Sequence, residues 1–195
     1  MAARDPATGE AMPDSLIIDN LVTFLLAGHE TTAQALTWTL YLLALFPEWQ
    51  DKAREGIGRV AGGRPIDRNV LKELSLVESI FQEAMRLYPP APSLMRRGIR
   101  RTELGGRDIK QGATVIIPVY VVHRHQRLWH DPLKFDPARF SPEARAGRHR
   151  CAYMPFSAGP RSCIGGAFSM LEAKAMLATL LASAKFELPE REVPE

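Results

Sequence analysis

Residues 156–165 read FSAGPRSCIG. The stretch places Cys163, one of only two cysteines among 195 residues, in a loop of glycine, proline and arginine just ahead of a long apolar segment. Backbone N–H groups at the start of a helix favour negative charge, so a sulfur there suits the work of a thiolate, as nucleophile or as metal ligand. A nucleophile needs a neighbouring base, and the loop supplies none. A zinc centre needs three more Cys or His ligands at short spacing, and these are missing.

A single thiolate is enough for a haem iron, whose porphyrin fills the in-plane positions. On that reading the neighbouring residues acquire tasks. Gly159 and Gly165 let the backbone approach a flat macrocycle, and Pro160 stiffens the turn. Phe156 can pack under the ring beside the sulfur. Arg161 offers a propionate the planar fork that suits a carboxylate. Loop N–H groups near the sulfur tune the iron potential. The pattern F-x-x-G-x-R-x-C-x-G fixes five positions. Average composition produces it by chance about once in ten million windows.

Outward from the loop, the pattern is mostly helical. A long helix is expected over 14–46, stopped by Pro47, with Phe24, Ala27, Gly28, Thr31 and Ala35 on one face. Thr31 can direct its hydroxyl to the carbonyl of Ala27, which loosens the helix locally, and Gly28 leaves room on the same face. The segment LTWTLYLLALF, residues 36–46, is apolar nearly all round and requires neighbours on every side. PEWQDKAREGIGRV reads as an amphipathic helix; its Gly56-x-Gly58 closes a helix instead of opening one, which excludes a dinucleotide loop. A further helix is expected over 71–88, ended by Pro89 and Pro90. Residues 94–122 read as short strands of a small antiparallel sheet around a Gly105-Gly106 turn. Residues 123–155, with four prolines, read as a meandering loop. The haem loop and a last helix occupy 156–184, with Phe168, Leu171, Leu177, Leu180 and Leu181 as expected core residues.

Composition removes several classes. A net charge of +3 gives no ground for nucleic-acid binding, and the basic cluster MRRGIRR (Met95 to Arg101) reads as a solvated strand edge. Two cysteines make no secreted disulfide framework and point to a reducing, cytoplasmic setting. The opening MAARDPATGE lacks the apolar core of a signal peptide, and the longest apolar run, eleven residues, is too short for a bilayer span. His29, His123, His125, His130 and His149 share no ligand spacing, and Cys151 reads as a buried or partly buried thiol.

At this point the sequence resembles a known family, the haem-thiolate monooxygenases or cytochromes P-450. FSAGPRSCIG is similar to their haem-loop signature, and three further stretches match in the family's order. AGHETT (Ala27 to Thr32) resembles the oxygen-activation segment, EAMR (Glu83 to Arg86) the E-x-x-R pair, and FDPARF (Phe135 to Phe140) the meander motif, with Ala138 where glutamate is frequent. The resemblance runs from about residue 14 to the end. It implies a mainly α fold with a small antiparallel β-sheet, the C-terminal, haem-binding part of the cytochrome P-450 fold.

The resemblance also implies roles. Cys163 would be the axial iron ligand. Ala27 and Gly28 would border the dioxygen site, and Thr31 with Glu30 would handle protons. Arg96, or Arg97 as second choice, would join Arg161 at the propionates. Glu83, Arg86 and Arg139 would form a buried structural network. The implied function is insertion of one oxygen atom of dioxygen into a small organic substrate, with electrons from a separate ferredoxin or flavoprotein reductase. Family chains are longer, mainly at the front, and the end FELPEREVPE stops before the last hairpin. The chain is therefore expected to be truncated. The competing expectations are a fragment that binds haem or a complementary chain without turnover, and an inert helical remnant.

Overall fold

The computed structural model describes residue 4 and residues 7–188. The expected missing hairpin concerns the end of the chain, and residues 189–195 lie outside the described residues. Helix α1, Asp14–Leu45, ends where expected: Phe46 precedes Pro47 and leaves helical geometry at φ −121° and ψ 72°. Its buried residues are Thr32, Ala35, Leu36, Thr39, Leu42 and Leu43, a single helical stripe confined to the C-terminal part. Every residue from Leu21 to Thr31 is exposed.

Residues 36–46, Thr37 apart, find the neighbours that their apolar pattern requires. That all-round apolar segment is the covered one: Trp38 stacks on Tyr88 at 4.0 Å and Phe46 on Phe135 at 5.4 Å. The uncovered apolar side chains lie earlier, with Leu21, Leu25 and Leu26 each more than 60% exposed.

Helix α2, Pro47–Ala61, starts on proline and closes on left-handed Gly62, whose N–H donates to the Gly58 carbonyl at 2.9 Å. Its stripe of Gln50, Ala53, Ile57 and Ala61 is buried. Gln50 donates to the Leu43 and Phe186 carbonyls and accepts from the Phe186 N–H, tying α1 to the chain's far end.

The single helix expected over 71–88 is two. Helix α3, Arg68–Glu73, is capped by Asp67, whose carboxylate accepts from the N–H groups of Asn69 and Val70 at 2.9 Å. The same N–H donors, with Val70 first, hold the Asp67 carboxyl below its ordinary range. Helix α4, Ser75–Leu87, follows after a break at Leu74, which leaves helical geometry to bury its side chain. Ile80, Phe81 and Ala84 of α4 are fully buried.

The sheet region also differs from the expectation. Strand β1, Leu94–Arg97, pairs antiparallel with β4, Thr114–Ile117, while β2, Thr102–Leu104, pairs with β3, Arg107–Ile109, in a separate ladder. Gly105 and Gly106, both at positive φ, make the tight turn between β2 and β3. Pro118 ends β4, and residues expected to continue the sheet coil into a helical turn, α5, Val119–Val122.

The meander is irregular as expected, holding a 3₁₀ turn at Pro137–Phe140, the short α6 at Pro142–Arg145 and another 3₁₀ turn at Arg150–Ala152. Trp129, Phe140 and Ala152 form a small second core under it. Helix α7, Gly166–Ser183, buries Ala173, Lys174, Leu177, Ala178 and Leu181. Phe168 and Leu171, expected in the core, are 70% and 54% exposed, and Leu180 is half-buried. The main core lies where α1, α2, α4 and α7 meet.

Candidate functional site

The cysteine loop is closed at its neck. The Cys163 N–H donates to the Phe156 carbonyl at 2.8 Å, and the Ser157 N–H donates to the Met154 carbonyl at 3.1 Å. Between them the chain turns through Ser157 at φ 65° and Gly159 at φ 75°, followed by a 3₁₀ turn at Gly159–Arg161. Glycine answers the left-handed geometry at position 159; Ser157 adopts it at a steric cost. The loop then enters α7, with the Ser169 N–H donating to the Gly165 carbonyl at 2.8 Å. Cys163 emerges exposed.

The demand for a small residue beside Phe156 falls on Gly166, not on Gly165. A Cβ at Gly166 would meet the Phe156 ring at 3.3 Å, whereas one at Gly165 would only touch Cys163 Sγ at 3.9 Å. Phe156 is half-buried against the main core. Arg161 is exposed and, among the described residues, has no carboxylate partner. Arg96 is exposed on β1 opposite Val115, with its own guanidinium donating to the neighbouring Met95 carbonyl.

On α1, Thr31 donates its hydroxyl to the Ala27 carbonyl at 2.7 Å, the back-bond expected from the sequence. Thr31, Glu30, Gly28 and Ala27 are all exposed, and a Cβ on Gly28 would meet nothing within 4 Å. The neighbour that sequence reading missed is Thr32. It is buried, and its hydroxyl lies 3.2 Å from that of Ser169 on α7. That contact brings the AGHETT segment against the helix that begins just after Cys163.

Beneath the loop, Glu83, Arg86 and Arg139 come together as expected. Arg86 binds Glu83 through two bonds, Nε to Oε2 at 2.6 Å and Nη2 to Oε1 at 2.8 Å, and neither side chain has exposed surface. Arg139 Nε stands 3.4 Å from Glu83 Oε1, which also accepts from the Asp136 N–H at 2.9 Å. Burial pushes the Glu83 carboxyl up against the opposing pull of Arg86, Asp136 and Arg139.

Two residues absent from the sequence-based site extend this network. His123 is fully buried, its carbonyl accepts from Arg86 Nη1 at 2.9 Å, and its Nε2 accepts from the Met154 N–H at 2.9 Å. Burial, reinforced by Arg86, lowers its pKa to about 4. Tyr153 donates its hydroxyl to the Gln82 carbonyl at 2.9 Å and stacks on His123 at 5.2 Å; burial raises its pKa. No sequence spacing announces either role, since each partner is distant in the chain.

The residues present suit a thiolate-bound haem. Among the described residues no cluster of three or more His, Cys, Asp or Glu could hold a metal ion, and Cys163 offers an exposed sulfur. Beside it, Ile164 and Phe168 expose apolar surface, 86% and 70%, that a macrocycle would cover. Arg161, without a carboxylate partner among the described residues, adds a cation for a carboxylate.

The family model of the cytochromes P-450 matches residues 1–195. The chain is 37% identical over 196 residues to cytochrome P-450 4B1 of Rattus norvegicus, an alignment covering 100% of this chain and 38% of that protein. It is 44% identical over 178 residues to a cytokinin hydroxylase of Arabidopsis thaliana, covering 89% of this chain and 33% of that one. The crystal structure of the cytochrome P-450DA haem domain superposes with a TM-score of 0.86 at 35% identity, over 92% of this chain and 40% of the domain. The chain thus spans about two fifths or less of the length of these relatives.

Proposed function

The chain belongs to the cytochrome P-450 family, and from that premise we propose that it is the haem-binding part of a haem-thiolate monooxygenase. The reaction is insertion of one oxygen atom of dioxygen into a small organic substrate, with electrons delivered by a separate ferredoxin or flavoprotein reductase. The observation that carries the reading is the exposed Cys163 on a loop closed at its neck and underpinned by the buried Glu83–Arg86 pair.

In this reading Cys163 holds the iron, and Arg161 and Arg96 take the propionates. Thiolate-ligated haem supplies dioxygen activation, the sulfur donating electron density that favours O–O cleavage. Thr31, its hydroxyl free to swing from the Ala27 carbonyl, and Glu30 hold and pass protons on the α1 side. Phe156 and Gly166 set the depth of the loop by packing on each other.

A second reading has a specific observation behind it. The exposed apolar residues from Leu16 to Leu26 on α1 favour a piece that binds haem or a complementary chain without turnover. Both readings share one test. The purified chain is mixed with haemin, reduced and exposed to carbon monoxide, beside its Cys163→Ala variant. A red-shifted Soret band that requires Cys163 is expected. An identical band in the variant, or none in either, sinks the thiolate assignment. Substrate-dependent NAD(P)H consumption with added redox partners then separates turnover from binding alone.

A further inference from the structure

We propose that His123 is the positioning residue that couples the Glu83–Arg86 pair to the cysteine loop, acting as a neutral hydrogen-bond acceptor for the Met154 N–H. The inference rests on the haem-thiolate reading for its consequence at the sulfur, but its geometry stands apart from it. Arg86 grips the backbone of His123, and the His123 ring grips the backbone of Met154. From there two short bonds complete the path: the Ser157 N–H to the Met154 carbonyl, and the Cys163 N–H to the Phe156 carbonyl. One buried residue therefore joins the α4 network to the neck of the loop through two separate bonds.

The chemistry requires one protonation state. A ring nitrogen accepts only when it carries no proton, so Nε2 must be bare and the proton must sit on Nδ1. Burial and the Arg86 charge disfavour the imidazolium, which would lose this acceptor. Arg124, the other neighbouring cation, acts in the same direction, and stacking on Tyr153 holds the ring plane. A Met154 N–H left without its acceptor is a partly buried donor unpaired, which frees the first residue of the loop's neck.

Two substitutions separate positioning from bulk. His123→Gln keeps an acceptor near the place of Nε2; His123→Phe keeps the ring and removes the acceptor. Both retain the backbone carbonyl that Arg86 holds. In the chain without haem, hydrogen exchange at the Met154 amide is expected to quicken about tenfold in His123→Phe, the scale of one lost bond. Amides of α4 such as Ala84 should be unchanged, and His123→Gln should restore protection at Met154. With haem and carbon monoxide, His123→Phe should shift the Soret band toward that of a neutral thiol ligand, with His123→Gln keeping the wild-type band.

Unchanged Met154 exchange in His123→Phe overturns the proposal, as does a uniform rise that includes α4. Loss of protection at Met154 in His123→Gln relative to wild type overturns it too, and this arm stands even where His123→Phe does not fold. A wild-type chain with no thiolate band refutes the haem reading alone, since the exchange comparison still decides the role of His123.

Discussion

Arg86 spends all five of its N–H donors at once: two on Glu83, and the remaining three on the carbonyls of His123, Pro132 and Lys134. Helix α4 thereby holds both ends of the first third of the meander through one side chain. Lysine has three donors on a flexible stem and cannot reproduce that fork. Arg86→Lys is therefore expected to lose about 3–5 kcal/mol, the scale for breaking a buried pair. Urea unfolding checks this, and a midpoint within error of wild type would refute it.

The His123 ring makes stability depend on pH. Its pKa is about 4 in the fold against the ordinary 6.5. The unfolded chain takes up this proton first, so the contribution is fully present above about pH 7 and is lost as pH falls through 6.5 toward 4, by about 3 kcal/mol. Burial acts on Glu83 in the opposite sense, raising its pKa, so wild type alone mixes the two. The difference between wild type and His123→Gln isolates the imidazole: the urea midpoint of wild type should fall more steeply on acidification. Parallel curves would contradict the assignment.

Adjacent threonines should behave differently. Thr31 is exposed and bonds only its own helix, so Thr31→Val should change stability by less than about 0.5 kcal/mol. Thr32 is buried and meets Ser169 across the helix interface. Thr32→Val strands the Ser169 hydroxyl and should cost about 1–2 kcal/mol. Thermal melts of the two variants side by side decide the matter, and equal losses would count against the contact.

Two glycines carry opposite expectations. Gly28 sits inside α1 with open space beside it, so Gly28→Ala should stabilise the chain by about 1 kcal/mol through helix propensity. Gly159 has φ 75°, and Gly159→Ala should cost about 1–2 kcal/mol through left-handed strain. Differential scanning calorimetry reads both signs.

The exposed apolar stretch of α1 should drive association. Leu21 and Leu25, one turn apart, are 62% and 69% exposed. Replacing both by lysine is expected to reduce self-association in sedimentation velocity while leaving the melting temperature in place, since neither touches the core. A fall in melting temperature would show that they support the fold after all.

Some of this was legible in the residues themselves. The cysteine loop, the back-bonded Thr31, the ends of α1 and α2 and the Gly105-Gly106 turn are local events, encoded within a few residues by proline, glycine and hydrogen-bonding side chains. The break at Leu74 was not legible, because the apolar pattern passes through it unbroken and only burial of Leu74 beneath its neighbours favours leaving the helix. Phe168 was misplaced for the same reason. An apolar side chain on a helix announces that it wants cover, not whether cover exists.

By itself, then, the sequence determined the cysteine-loop motif around Cys163 and the order of helices, strands and meander that leads up to it. Only the tertiary structure decided which half of α1 is covered, that Thr32 faces Ser169, and that His123 links Arg86 to Met154. The physical reason is separation along the chain. Thr32 and Ser169 are 137 residues apart and His123 and Met154 are 31 apart, and no local pattern records a bond that exists only once the intervening chain has folded back.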